Sequence, residues 1–121
     1  MTEEAVKCFL KSYSELKARR DILDKIRNYS HSAENNEMYS ELVIKIQIIE
    51  SALEILKEDE KKIIMWHLID NIKWSDIEDL YEKQVGTAFN YSDRTFKRIQ
   101  KNALKKIEVF LSKSEFKEYI N

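Results

Sequence analysis

SDRTFKRIQKNALKKI, residues 92–107, reads as a helix with two opposed faces. At about 100° per residue, Arg94, Lys97, Arg98, Lys101 and Lys105 fall within one narrow arc, while Phe96, Ile99, Ala103 and Ile107 gather on the far side. Such a helix docks its apolar stripe on a small helical core and leaves its cations outward. The pattern suits a helix that reads DNA, with phosphates and base edges as the matching surface. Plain solvated surface is the competing explanation. The order of short helix, cap and basic helix that precedes Ile107 favours DNA.

The concentration of charge is local. The 121 residues carry 21 Lys and Arg against 22 Asp and Glu, a formal net charge of -1. Residues 1–30 hold seven basic and five acidic side chains, residues 31–60 two and eight, residues 61–91 four and five, and residues 92–121 eight and four. Attraction to a polyanion is therefore confined to one end, and the acidic middle repels it from the rest of the surface.

With no proline and a single glycine, Gly86, few breaks are obligatory, so long helices are expected and a many-turned β-fold is not. A charged fraction of 36%, against roughly 25% in ordinary globular domains, fits thin helical packing with much exposed surface. Cys8 is the only cysteine and can form no internal disulfide, which suits a reducing cytoplasm. Met1 to Lys7 contains two glutamates and no apolar run, so neither a signal peptide nor a membrane span is expected.

The whole chain reads as all-α. A first helix starts near Thr2, where Thr caps and Glu3 and Glu4 suit the helix dipole, and its stripe from Val6 through Phe9, Leu10, Tyr13, Leu16, Leu23 and Ile26 runs to about Tyr29. Residues 30–36 form the polar loop of a helical hairpin. A second helix, about 37–56, has one stripe of Met38, Leu42, Ile46, Ile49, Leu53 and Leu56 and a second of Ile44, Ile48 and Ile55. A helix apolar on two sides needs two partners. The first helix is one. The other is either the C-terminal helices of the same chain or a second subunit, so Ile44, Ile48 and Ile55 are the candidate oligomer contact.

A third helix, about 58–70, opens with Glu58, Asp59 and Glu60 and is then apolar nearly all round; Asn71 supplies its left-handed end. A short helix from about 74 to 84 buries Ile77, Leu80 and Tyr81 and ends at Gly86, after which Ser92 caps the basic helix. Ser112 to Glu115 has the form of a capping box, so a last short helix carrying Phe116, Tyr119 and Ile120 is expected. These elements divide into a helical hairpin over 1–56, a DNA-binding unit over 57–111 and a tail over 112–121.

Trp74, Ser75, Asp76 and Ile77, followed by Tyr91, Ser92, Arg94, Thr95, Phe96, Lys97, Arg98, Ile99, Ala103 and Leu104, resemble the helix-turn-helix of phage-type transcription regulators of the ArpU and RinA group. That group is in turn similar to region 4 of bacterial sigma factors. The resemblance covers about 56–111. Glu78 stands where the pattern carries alanine, and residues 82–91 make a longer connection than the tight turn of the simplest members. The resemblance implies a DNA-binding regulator, an activator of phage or mobile-element genes that meets promoter-proximal double-stranded DNA, with RNA polymerase as a further candidate partner. It implies that Ser92 caps the reading helix and offers backbone amides to a phosphate. Arg94 and Arg98 are implied to contact guanine, Lys97, Lys101 and Lys105 to contact phosphates, and Phe96, Ile99 and Ala103 to hold the helix on its scaffold.

No enzyme is indicated: the carboxylates of 58–60 are a helix start, with nothing glycine-rich, nucleophilic or cofactor-like beside them. His31 and His67 have no Cys or second His at ligand spacing, so no metal and no cofactor are expected. Trp66 and Trp74 read as packing, and Cys8 as a small apolar residue. A homodimer would set two reading helices on successive half-sites. Two other assignments fit the same residues: a small terminase-type subunit recognising packaging sites, and a protein-only adaptor binding RNA polymerase or another regulator.

Overall fold

The computed structural model describes residues 2–29, 32–86 and 91–120, and all regular structure among them is helical. Helix α1 (Glu3–Lys11) is capped by Thr2, whose Oγ1 accepts the Ala5 N–H at 3.1 Å. Helix α2 (Tyr13–Arg27) follows after a break at Ser12. The single helix expected to run to Tyr29 is thus two. Its stripe continues through the break, but the Ser12 hydroxyl donates to the carbonyl of Phe9, and back-bonding of this kind bends a helix. The bend sends the two pieces to different partners: α2 lies along α3 (Ala33–Glu54), and α1 crosses to the far end of the chain.

Helix α3 starts four residues before the expected position 37, because Ser32 Oγ accepts the Asn35 N–H at 3.0 Å. Two contacts tie α2 to it. The Tyr13 hydroxyl donates to Glu50 Oε2 at 2.8 Å, and burial together with that carboxylate pushes the Tyr13 pKa up to about 12. At the other end the Arg27 guanidinium lies 4.2 Å from the centre of the Tyr39 ring and donates to Asn36 Oδ1 at 2.9 Å.

Helix α4 (Glu58–Ile63) runs into a wide π-type segment, Ile64–Ile69, where the Asp70 N–H bonds to the Met65 carbonyl five residues back. The third helix is therefore only partly α-helical, and Asn71 ends it at φ 57° as expected. Its apolar run meets two cores: Ile64 and Leu68 join the larger one, Ile63 and Trp66 the smaller. Then come α5 (Trp74–Val85) and α6 (Asp93–Leu111). Ser112 closes α6, its N–H on the Glu108 carbonyl at 3.0 Å and its hydroxyl on that of Val109 at 2.7 Å. The expected capping box is thus a helix end. A 3₁₀ turn, Ser114–Phe116, leads to the one-turn helix α7 (Lys117–Ile120) against α3.

The larger core joins Val6, Leu10, Leu42, Ile46, Ile49 and Ile64 to Ala103, Leu104, Ile107 and Leu111, so it draws on both sides of residue 56. Burial of each Leu or Ile contributes roughly 1.5–3 kcal/mol. The exposed ion pairs of α1 and α3, such as Lys7 with Glu4 or Lys45 with Glu41, contribute about 0–1 kcal/mol each. Apolar packing therefore decides the arrangement. Of the two partners open to the second stripe of α3, its own chain takes most of it: Ile48 is buried and Ile44 half-buried, and of the three only Ile55 remains exposed.

Candidate nucleic-acid interface

Helix α6 is held at its N-terminal half by a small aromatic cluster. Phe96 is buried between Tyr81 of α5, at 5.3 Å between ring centres, and Tyr91, at 5.9 Å; Tyr81 and Tyr91 are themselves 5.3 Å apart. Ile63 and Ile77 complete the cluster. Burial, with Tyr91 and Asp59 nearby, raises the Tyr81 pKa. Of the three residues expected on the buried side of α5, Ile77 and Tyr81 are buried but Leu80 is only half-buried and joins neither core; Glu78 is exposed, so the side chain standing in place of alanine stays out of the packing.

The start of α5 is fixed from behind. Its first residue, Trp74, is stacked by His67 at 3.7 Å and 25°, and His67 Nδ1 lies 2.9 Å from the Ile72 carbonyl. A carbonyl only accepts, so Nδ1 carries the proton. Trp74 and Trp66 both pack on the small cluster. At the other end Gly86, at φ 95°, takes a conformation that a side chain would strain. Residues 87–90 of the connection lie outside the described residues, as do Ser30 and His31.

Ser92 occupies the N-cap of α6, its carbonyl taking the Thr95 and Phe96 amides at 3.0 and 3.1 Å. Its side chain does not cap the backbone; Oγ lies 3.4 Å from Thr95 Oγ1 instead. Beyond it Arg94, Lys97, Arg98, Lys101 and Lys105 are all exposed, along one side of the helix. Phe96, Ala103, Leu104, Ile107 and Leu111 are buried on the other, with Ile99 half-buried. None of the five cations has an ion-pair or side-chain hydrogen-bond partner among the described residues.

Lys106, the sixth cation of α6, behaves differently. Its ammonium lies 2.8 Å from Oε1 of Glu60, whose side chain is 7% exposed, and the pair fastens α6 to the start of α4. Glu60 also accepts the Lys57 N–H at 2.9 Å. Burial alone would raise its pKa, but the hydrogen bonds from Lys106 and Lys57 and their positive charges outweigh it and hold the carboxyl below the ordinary 4.5. The sequence places Glu60 at a helix start and gives no sign of this second role, because its partner is 46 residues away. Gln100 is the other surprise. It sits on the buried side of α6, one turn from Phe96 of the small cluster and from Leu104 of the large one, and its Oε1 accepts no hydrogen bond among the described residues.

Among the described residues no group of three or more His, Cys, Asp or Glu could hold a metal ion, and no helix is long and apolar enough to cross a membrane. Compared with known proteins, the chain matches no family model, no curated protein and no solved structure.

Proposed function

We propose that the chain is a sequence-specific DNA-binding transcriptional regulator in which α5 and α6 form a helix-turn-helix and α6 reads the major groove. One observation carries the reading: five cations share the outer face of α6 with no ion-pair or hydrogen-bond partner among the described residues, while the opposite face is buried. Side chains that the fold leaves unpaired, on a helix it holds firmly, are pre-organised for an external polyanion. Arg94 and Arg98, near the N-terminal end, suit bidentate contact with guanine, and Lys97, Lys101 and Lys105 suit phosphates. The resemblance to the ArpU and RinA group adds the rest of the proposal: activation of phage or mobile-element genes from promoter-proximal DNA in a bacterial cytoplasm, with RNA polymerase as a further partner. Two copies on successive half-sites remain part of it, with Ile55 the exposed remnant of the expected contact.

Salt dependence separates the roles. With the three lysines alone on phosphates, log K falls against log salt with a slope of about -2.7; with both arginines there too, the slope nears about -4.5. Lys101→Ala should weaken all duplexes alike and reduce the slope by about 0.9. The deciding experiment selects bound duplexes from random DNA with the purified protein and repeats the selection with an Arg94→Ala, Arg98→Ala double variant. Each arginine should account for roughly 1–3 kcal/mol at one base position. Equal binding of both proteins to the selected site would overturn the proposal, and an enriched palindrome would support paired copies.

A further inference from the structure

The outer face of α6 is divided into two rows of different chemistry. Lys97, Lys101 and Lys105 stand at steps of four, and so do Arg94, Arg98 and Asn102. Residues four apart lie one above the other on a helix, so the rows run side by side. The first consists of ammonium groups, which act as point charges without directional preference. The second consists of planar groups, two guanidiniums and a carboxamide, and these are the side chains able to form two parallel hydrogen bonds with one base edge. Asn102 is exposed and has no ion-pair or hydrogen-bond partner among the described residues. It is also the only neutral member of either row. A carboxamide adds nothing to attraction for phosphate, but it offers the donor and acceptor that match N7 and N6 of adenine.

We infer that Asn102 is a specificity-determining residue that reads an adenine in the major groove of duplex DNA, continuing the row begun by Arg94 and Arg98. The inference rests on the assignment of α6 as the reading helix. A step of four residues rises about 6 Å along the helix axis, and base pairs stack about 3.4 Å apart. The adenine therefore lies within about two base pairs of the guanine met by Arg98. Duplex RNA is excluded as the target, because its major groove is too deep and narrow for a helix face to reach base edges.

Asn102→Ala tests this without endangering the fold, since the position is exposed and alanine is the better helix former. Random-duplex selection with the full chain should enrich an adenine for the wild type and leave that one position free for the variant. On the selected site the variant should bind roughly 5- to 150-fold more weakly, with the salt slope unchanged. Replacing the adenine by 7-deazaadenine should weaken the wild type and leave the variant unaffected. The inference is overturned if the variant enriches the same adenine, if it weakens all duplexes equally, or if duplex RNA of the same sequence binds as well. Failure of the wild type to retain any duplex at low salt would remove the DNA-reading assignment itself. Retention without an enriched adenine removes only the role of Asn102.

Discussion

Helices α2 and α6 are both rich in cations, yet the fold treats them in opposite ways. Helix α2 carries five, Lys17, Arg19, Arg20, Lys25 and Arg27. Three of them have intramolecular partners: Lys17 lies over the Tyr13 ring at 4.7 Å, Arg20 bonds to Asp21 at 3.2 Å, and Arg27 lies over Tyr39. Helix α6 carries six, of which Lys106 alone is paired among the described residues. The lesson is that the number of positive charges on a helix says little about binding. What marks α6 is that five of its six cations have no partner among the described residues while its other face is buried, with Phe96, Ile107 and Leu111 on it.

Removing the anchor of α6 should have the largest effect. Phe96→Ala empties the centre of the small cluster and should lower stability by about 3–5 kcal/mol in urea denaturation. An unchanged midpoint would mean that the aromatic cluster does not fix the helix. The next effect concerns the one paired cation. Glu60→Gln should cost about 1–2 kcal/mol, less than a fully buried pair because Lys106 is itself 40% exposed. It should also raise DNA affinity slightly by freeing a sixth positive charge. Because the folded carboxyl is held below 4.5, the folded state binds that proton less readily than the unfolded chain. The stability due to ionised Glu60 is then full above about pH 4.5 and declines as pH falls through the folded value. Denaturation between pH 6 and 3 should show a shallower acid loss for Glu60→Gln than for the wild type. The smallest effect should come from α2. Arg27→Ala should cost about 0.5–2 kcal/mol of stability by removing the contacts to Tyr39 and Asn36, with DNA retention unaltered. A loss of DNA binding there would erase the distinction between the two helices.

The distinction was half visible in the sequence. The apolar sides of α5 and α6, the left-handed turn at Asn71, the end at Gly86 and the cap position at Ser92 follow from periodicity and from residues with strong local preferences. So does the exposure of the five cations. What the sequence did not reveal depends on which surfaces meet. The break at Ser12, where the hydroxyl bonds backward, leaves the stripe unbroken. Ile44 and Ile48 form a true second stripe, but periodicity cannot tell whether the surface that covers it belongs to the same chain. The pairing of Glu60 with Lys106 likewise arises only when α4 and α6 are brought together, and the burial of the polar Gln100 is set by packing that its residue type does not announce.

The crossing of α1 to the back of α6 bears on how the molecule can be made and cut. A chain emerging residue by residue from the ribosome presents Val6 and Leu10 long before the surface that shelters them, around Ala103 and Ile107, has been synthesised. Until then the early helix must wait with its apolar side uncovered, and closure joins segments of high sequence separation, the slow kind of folding event. For the same reason residues 57–111 are not a cassette that can be excised. Lifted into another protein, they would bring an orphaned apolar strip on the side of α6 turned away from its cations.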